Sequence, residues 1–97
     1  MATVVVTPTA MEDLRRLVVT HSLPGDTSSR FKRSMSLLSR FPEIGAALTG
    51  RWDGYRFVLG PWRWILVVYV YDEADDRVAI VTIQDARSSQ AATARGG

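Results

Sequence analysis

The stretch Tyr55–Ser89, YRFVLGPWRWILVVYVYDEADDRVAIVTIQDARSS, decides how this chain is read. Its apolar residues are mostly β-branched or aromatic, and the runs break at Gly60-Pro61 and at the acidic segment Asp72-Glu73-Ala74-Asp75-Asp76. That pattern predicts three antiparallel strands joined by two short turns, because branched and aromatic side chains suit a pleated surface while Gly, Pro and Asp interrupt one. In the first strand Tyr55, Phe57 and Leu59 alternate with Arg56 and Val58; in the second, Trp62, Trp64, Leu66, Val68 and Val70 alternate with Arg63, Ile65, Val67, Tyr69 and Tyr71. The third alternates Val78, Ile80 and Thr82 with Ala79, Val81 and Ile83, and runs out into Gln84-Asp85-Ala86-Arg87. The wholly apolar face, with Trp62, Trp64, Leu66 and Val68, is expected to take the rest of the chain as its cover. The other face carries Arg56, Arg63 and Tyr69 towards its margins, with Arg87 just beyond the last strand, and is the candidate site: a concave surface that receives something charged.

Upstream, Ala2 to Thr7 is a β-branched run ended by Pro8 and reads as a first strand at the edge of the same sheet. Thr9-Ala10-Met11-Glu12 has the spacing of a capping box, so a helix is expected to start there. Met11, Leu14, Leu17, Val18 and His21 recur at three- and four-residue steps and form its apolar stripe, and Leu23-Pro24-Gly25 stops it. Asp26 or Thr27 caps a second helix whose buried stripe is Phe31, Met35, Leu38 and Phe41, with Leu37 at the flank. Arg30, Lys32, Arg33 and Arg40 fall on its outer face as a solvated surface. Pro42 and Gly45 break the pattern, Ala46–Gly54 reads as a connecting loop with Trp52 folded over the edge of the core, and Ser88–Gly97 reads as a flexible tail. The fold class is thus α+β: strand, two-helix hairpin, then a three-stranded meander, giving an antiparallel sheet of about four strands with both helices packed on one face.

At 97 residues the chain makes one domain, enough to remove about two thirds of its unfolded surface from water. The absence of cysteine removes disulfide frameworks, thiolate metal sites and thiol nucleophiles, and fits a cytoplasmic protein. No apolar run approaches the ~20 residues of a spanning helix, so no membrane role is expected. The net charge of +2 hides an uneven distribution, since four of the ten acidic residues sit in the Asp72–Asp76 turn while eleven of the twelve basic residues are arginine. Arginine's planar fork suits phosphate or carboxylate, and an arginine-rich solvated exterior accounts for the composition equally well. The common catalytic kits are missing: one histidine, no Gly-rich phosphate loop, no His-x-x-x-His and no Gly-x-Ser-x-Gly. His21, at the end of an apolar stripe, reads as a packed structural histidine.

The element order, taken with Leu48-x-Gly50, Tyr55-Arg56-Phe57, Gly60-x-x-Arg63-x-x-x-Val67-Val68-Tyr69 and Ile83-x-x-Ala86-Arg87, resembles the RelE/ParE family of bacterial type II toxins over nearly the whole chain. The resemblance implies a cytoplasmic toxin of a toxin-antitoxin (plasmid stabilisation) system, held inactive by a small cognate antitoxin. RelE-like members cleave mRNA on the ribosome without metal or cofactor, the 2′-hydroxyl attacking the adjacent phosphate; ParE-like members inhibit DNA gyrase. Arg63 and Arg87 match the family's catalytic arginines, Arg56 is a weaker match, and Tyr69 is by type a base-stacking residue. The chain departs from the ribonuclease pattern at Ala86, where many members have histidine, and at Ser88-Ser89-Gln90, where they have tyrosine. Asp85 is the one nearby carboxylate able to accept a proton, or else it pairs with Arg87 or Arg63. Three functions are compatible with these residues: an mRNA endonuclease, a gyrase inhibitor, and a catalytically degenerate antitoxin-binding module. An exposed sheet edge and apolar surface free of antitoxin also suit a homodimer.

Overall fold

Four β-branched or hydroxyl-bearing residues, Thr3–Val6, form the first strand, β1, and the chain turns into helix α1, Pro8–Thr20, immediately afterwards. These elements come from a computed structural model, which describes residues 1–88 and 91–93. Pro8 suits the first helical turn because its missing N–H is one that has no intrahelical partner there. The cap is Thr7, not Thr9: its hydroxyl accepts from the Ala10 N–H at 3.3 Å and donates to the Ile80 carbonyl at 2.8 Å, tying the helix start to the sheet. The other end of α1 closes on His21 as C-cap, with Ser22 in the left-handed region at φ 50°. The Leu23 N–H bonds the Val18 carbonyl at 3.0 Å and the Ser22 N–H the Val19 carbonyl at 3.4 Å, the paired bonds of a Schellman closure. Helix α2, Thr27–Arg40, buries Thr27, Phe31, Met35 and Leu38. Phe41, expected in that buried stripe, is 54% exposed, because the helix ends at Arg40 and the chain turns away one residue before the fourth contact would be made.

The remaining elements are β2 (Ala46–Ala47), a 3₁₀ turn at Gly50–Trp52, β3 (Arg56–Leu59), β4 (Ile65–Asp72) and β5 (Arg77–Asp85). The sheet order is β1-β5-β4-β3-β2, with β1 parallel to β5 and the other pairs antiparallel. The α+β class, the helical hairpin on one face and the terminal edge strand are as expected. The sheet itself is mixed and five-stranded, where about four antiparallel strands were expected. β2 is a two-residue pairing within the expected loop, too short to show a period, and β1 reaches β5 only after every other element, so its direction is set by tertiary packing.

The largest correction concerns the faces. The helices cover Ile65, Val67 and Tyr69 together with Val78, Ile80 and Ile83, while Leu66 and Val68 lie in a second, smaller cluster with Leu48, Trp52, Tyr55 and Phe57. Trp62 and Trp64 pack at the helix side even though Leu66 does not. The reason is local: the Ile65 N–H bonds the Trp62 carbonyl at 3.0 Å, so Trp62–Trp64 is part of a turn, and strand alternation starts only at Ile65. Counting by twos through a turn inverts every later assignment. A bulge adds to the irregularity, since the ladder passes from Val68↔Thr82 to Tyr69↔Ile80 and leaves Val81 without a partner across the strand. Asp13 of α1 satisfies the disturbed backbone, accepting from the Thr82 hydroxyl at 2.6 Å and from the Ile83 N–H at 3.3 Å. On the second face Ala91 is buried and the Ala92 N–H donates to Gln84 Oε1 at 2.8 Å, so this part of the expected tail is packed. The remainder of that tail, at positions 89–90 and 94–97, lies outside the described residues.

Candidate functional site

The expected site residues fall into two groups. Tyr69 is fully buried among the core residues under the helices, and its hydroxyl accepts from the Gly45 N–H at 2.9 Å. Burial holds its phenol above the ordinary value, although the Gly45 bond acts the other way. Arg56 stands opposite Tyr69 in the ladder and donates through one Nη to the Gly45 carbonyl at 2.8 Å and to the Glu43 carbonyl at 3.2 Å. Gly45 sits so close that a Cβ there would lie 2.6 Å from both the Phe57 carbonyl and the Tyr69 hydroxyl oxygen. These three residues lock the segment after α2 onto the sheet. The structure therefore does not present Tyr69 to a nucleobase, and it engages Arg56 with backbone carbonyls.

Arg63, Asp85 and Arg87 come together at the other end. Ile65 pairs with Asp85, so the β3–β4 turn carrying Arg63 and the residues just past β5 emerge at the same edge of the sheet, and the Ala86 N–H bonds the Trp64 carbonyl at 2.7 Å. Asp85 grips Arg87 by both oxygens: Oδ1 takes Nε and Oδ2 takes Nη2, each at 2.9 Å, and Oδ1 also accepts the Arg87 backbone N–H at 2.9 Å. The hydrogen bonds from Arg87 lower the Asp85 carboxyl to about 2, against an ordinary 3.8, and the same contact raises the guanidinium. Asp85 is thereby a permanent carboxylate at neutral pH, and a proton acceptor role for it is unfavourable; of the two expectations, the ion pair with Arg87 is the one formed. The guanidinium carbon of Arg87 lies 4.6 Å from the centre of the Trp64 ring, within the range of a cation–π contact. Arg63 is exposed and makes no hydrogen bond or ion pair among the described residues. Arg30 of α2 stands 5.7 Å from the Trp62 ring at this end and pairs with Asp26.

His21 packs at this end as the sequence predicts, but against residues that its position in the chain does not reveal. Its ring centre lies 4.6 Å from that of Trp64, tilted by 53°, and its Nε2 stands 3.6 Å from Asp85 Oδ2, too long for a hydrogen bond but within ion-pair reach. The periodicity of α1 placed His21 on the inward stripe, yet only the register of the sheet reveals that the end of α1 meets the end of β5. Beside this cluster, Asp13, Arg16, Leu17, Thr82, Ile83, Gln84, Asp85 and Ser88 line a cleft of about 300 Å³. No group of three or more His, Cys, Asp or Glu side chains among the described residues is placed to hold a metal ion, and no helix among them is long and apolar enough to cross a membrane.

No family model matches the sequence, and no curated protein matches it. Solved structures do match. A chain of the RelBE2 toxin-antitoxin complex from Mycobacterium tuberculosis superposes with a TM-score of 0.64 at 24% identity, over 87% of this chain and 96% of that one. The isolated RelE toxin of E. coli gives 0.65 at 13% identity over 93% and 89%, and YafQ from E. coli strain BL21(DE3) gives 0.64 at 13% over 88% and 93%. At these identities what is shared is the backbone arrangement, over nearly the full length of both partners. The fold of this chain is that of the RelE- and YafQ-type toxins.

Proposed function

We propose that this chain is the toxin of a type II toxin-antitoxin pair and that it cleaves mRNA on the ribosome, without a metal, until a cognate antitoxin neutralises it. The observation that carries the reading is the pair of arginines at one end of the sheet, with Arg63 unengaged among the described residues and Arg87 held by Asp85 with its guanidinium carbon 4.6 Å from the centre of the Trp64 ring. When a 2′-hydroxyl attacks the adjacent phosphate, negative charge accumulates on the non-bridging oxygens of the five-coordinate phosphorus. Preplaced guanidinium groups stabilise that charge more than the ground-state diester, which is the requirement for catalysis. Asp85 serves by fixing the plane of Arg87. For the antitoxin, Leu37, Phe41 and Ile44 are 45%, 54% and 53% exposed, and Phe41 and Ile44 line a cleft of about 400 Å³ with Arg40, Pro42, Glu43 and Tyr71, an apolar area that a partner segment would cover.

The test is to add the purified chain to ribosomes translating a defined mRNA and to map new 5′ ends by primer extension, with plasmid supercoiling by gyrase measured alongside. New ends that require ribosomes, with supercoiling unchanged, are expected. Intact transcripts with altered supercoiling would replace the ribonuclease by a gyrase inhibitor; no effect in either assay would leave an antitoxin-binding module.

A further inference from the structure

We propose that His21 is the proton-transfer residue of this site, taking the proton of the attacking 2′-hydroxyl; the inference rests on the ribonuclease reading above. Ala86 and Ser88 flank Arg87, so no histidine or tyrosine stands directly beside it in the chain. The end of α1 supplies an imidazole to the same place from a different element.

Three features of the structure support this. The Schellman closure at Ser22 fixes the backbone of His21 at the C-cap, so the ring is delivered by a rigid helix end. Its ring rests against Trp64, the same indole that carries Arg87, which sets proton acceptor and phosphate-binding cation on one platform. Its Nε2 faces Asp85, and Nδ1 makes no hydrogen bond among the described residues, while the side chain is 31% exposed and open to a ligand. The Asp85 carboxylate, 3.6 Å from Nε2, favours by its charge rather than by a hydrogen bond the tautomer with its proton there, which leaves Nδ1 as the acceptor. The charged group meeting the imidazole is Asp85 from β5, itself paired with Arg87, with Asp13 and Arg16 of α1 lining the adjoining cleft.

The step balances without a further cofactor. The 2′-oxygen forms its bond to phosphorus as its proton passes to His21; the bond from phosphorus to the 5′-oxygen breaks, and that oxygen takes a proton from water. The products are a 2′,3′-cyclic phosphate and a 5′-hydroxyl.

The experiment compares the wild-type chain with His21→Phe, which keeps a ring on Trp64, and His21→Gln, which keeps a polar group near Asp85. Ribosome-dependent cleavage is measured across pH, together with binding of an mRNA carrying a single 2′-deoxy substitution at the cleavage position, and thermal unfolding. A loss of about 10²–10⁴-fold in cleavage with binding retained is expected, along with loss of the acid limb of the pH–rate profile in both variants. Cleavage within about threefold of wild type and an unchanged pH profile in whichever variant folds would overturn the role of His21 and leave the ribonuclease reading standing. A wild-type chain that leaves every transcript intact would overturn both.

Discussion

Arg56 and Arg87 stand towards opposite ends of one sheet and do opposite things. Arg56 donates to two backbone carbonyls and, with Tyr69 and Gly45, closes the chain after α2 onto the core. Arg87 is exposed, holds a side-chain carboxylate and lies over an indole, at the same edge of the sheet as the turn that carries Arg63, which is unengaged among the described residues. A guanidinium bonded to a part-buried carbonyl is structural, since moving it strands that acceptor. One bonded to a surface carboxylate can exchange part of that contact for a phosphate at small cost, because such ion pairs are worth about 0–1 kcal/mol. The difference separates a locking end from a proposed binding end, in residues that look alike along the chain.

Substitutions at the locking end are expected to unfold the protein rather than to alter its chemistry. Gly45→Ala is the most severe: its Cβ meets a backbone carbonyl and a fully buried tyrosine, and a loss of about 3 kcal/mol in urea unfolding is expected. Tyr69→Phe strands the Gly45 N–H in the core and is expected to cost about 2 kcal/mol by the same measurement. Arg56→Ala removes one bond from the part-buried Gly45 carbonyl and one from the exposed Glu43 carbonyl, and a loss of about 1 kcal/mol is expected, with the proposed ribonuclease activity per folded molecule unchanged. Wild-type stability for Gly45→Ala would show that the segment after α2 adapts and that the locking end is not rigid.

The smallest effect belongs to the binding end and is sharpest in acid. Asp85 is lowered to about 2 by Arg87, so its folded-state value is depressed, and its contribution is present above the ordinary carboxylate value of 3.8 and is lost as pH falls towards about 2. Asp85→Asn is therefore expected to cost less than about 1 kcal/mol at neutral pH. Between pH 3.8 and about 2 the variant should lose less stability than wild type when unfolding midpoints are compared. A steeper acid loss in the variant would contradict the assigned pair.

Most of the architecture was legible because period-two runs and helical stripes are long enough to count. The meander, both helices, the edge position of β1 and the fold of Trp52 against the second cluster all follow from such patterns. The faces of β4 were not legible, because Trp62–Trp64 alternates like a strand while forming a turn. That single misplaced start exchanged the core and the site, and it took Tyr69 for an exposed stacking residue. The bulge at Val81 and its capping by Asp13 leave no local mark either, since they depend on a helix 69 residues away in the chain. The placing of Arg63, Asp85 and Arg87 near one edge follows from turns and strand ends, which leave a local mark; the packing of His21 was legible from its stripe, but its neighbours, Trp64 and Asp85, meet it only in the folded chain.

The most direct measurement is ribosome-dependent mRNA cleavage by Arg87→Ala set against Arg56→Ala, each scaled to the amount of folded protein. A loss of about 10²–10³-fold for Arg87→Ala, with Arg56→Ala near wild type, is the expected result. Equal activities in the two variants, or a loss confined to Arg56→Ala, would contradict the placing of the site at the Trp64–Arg87 end of the sheet.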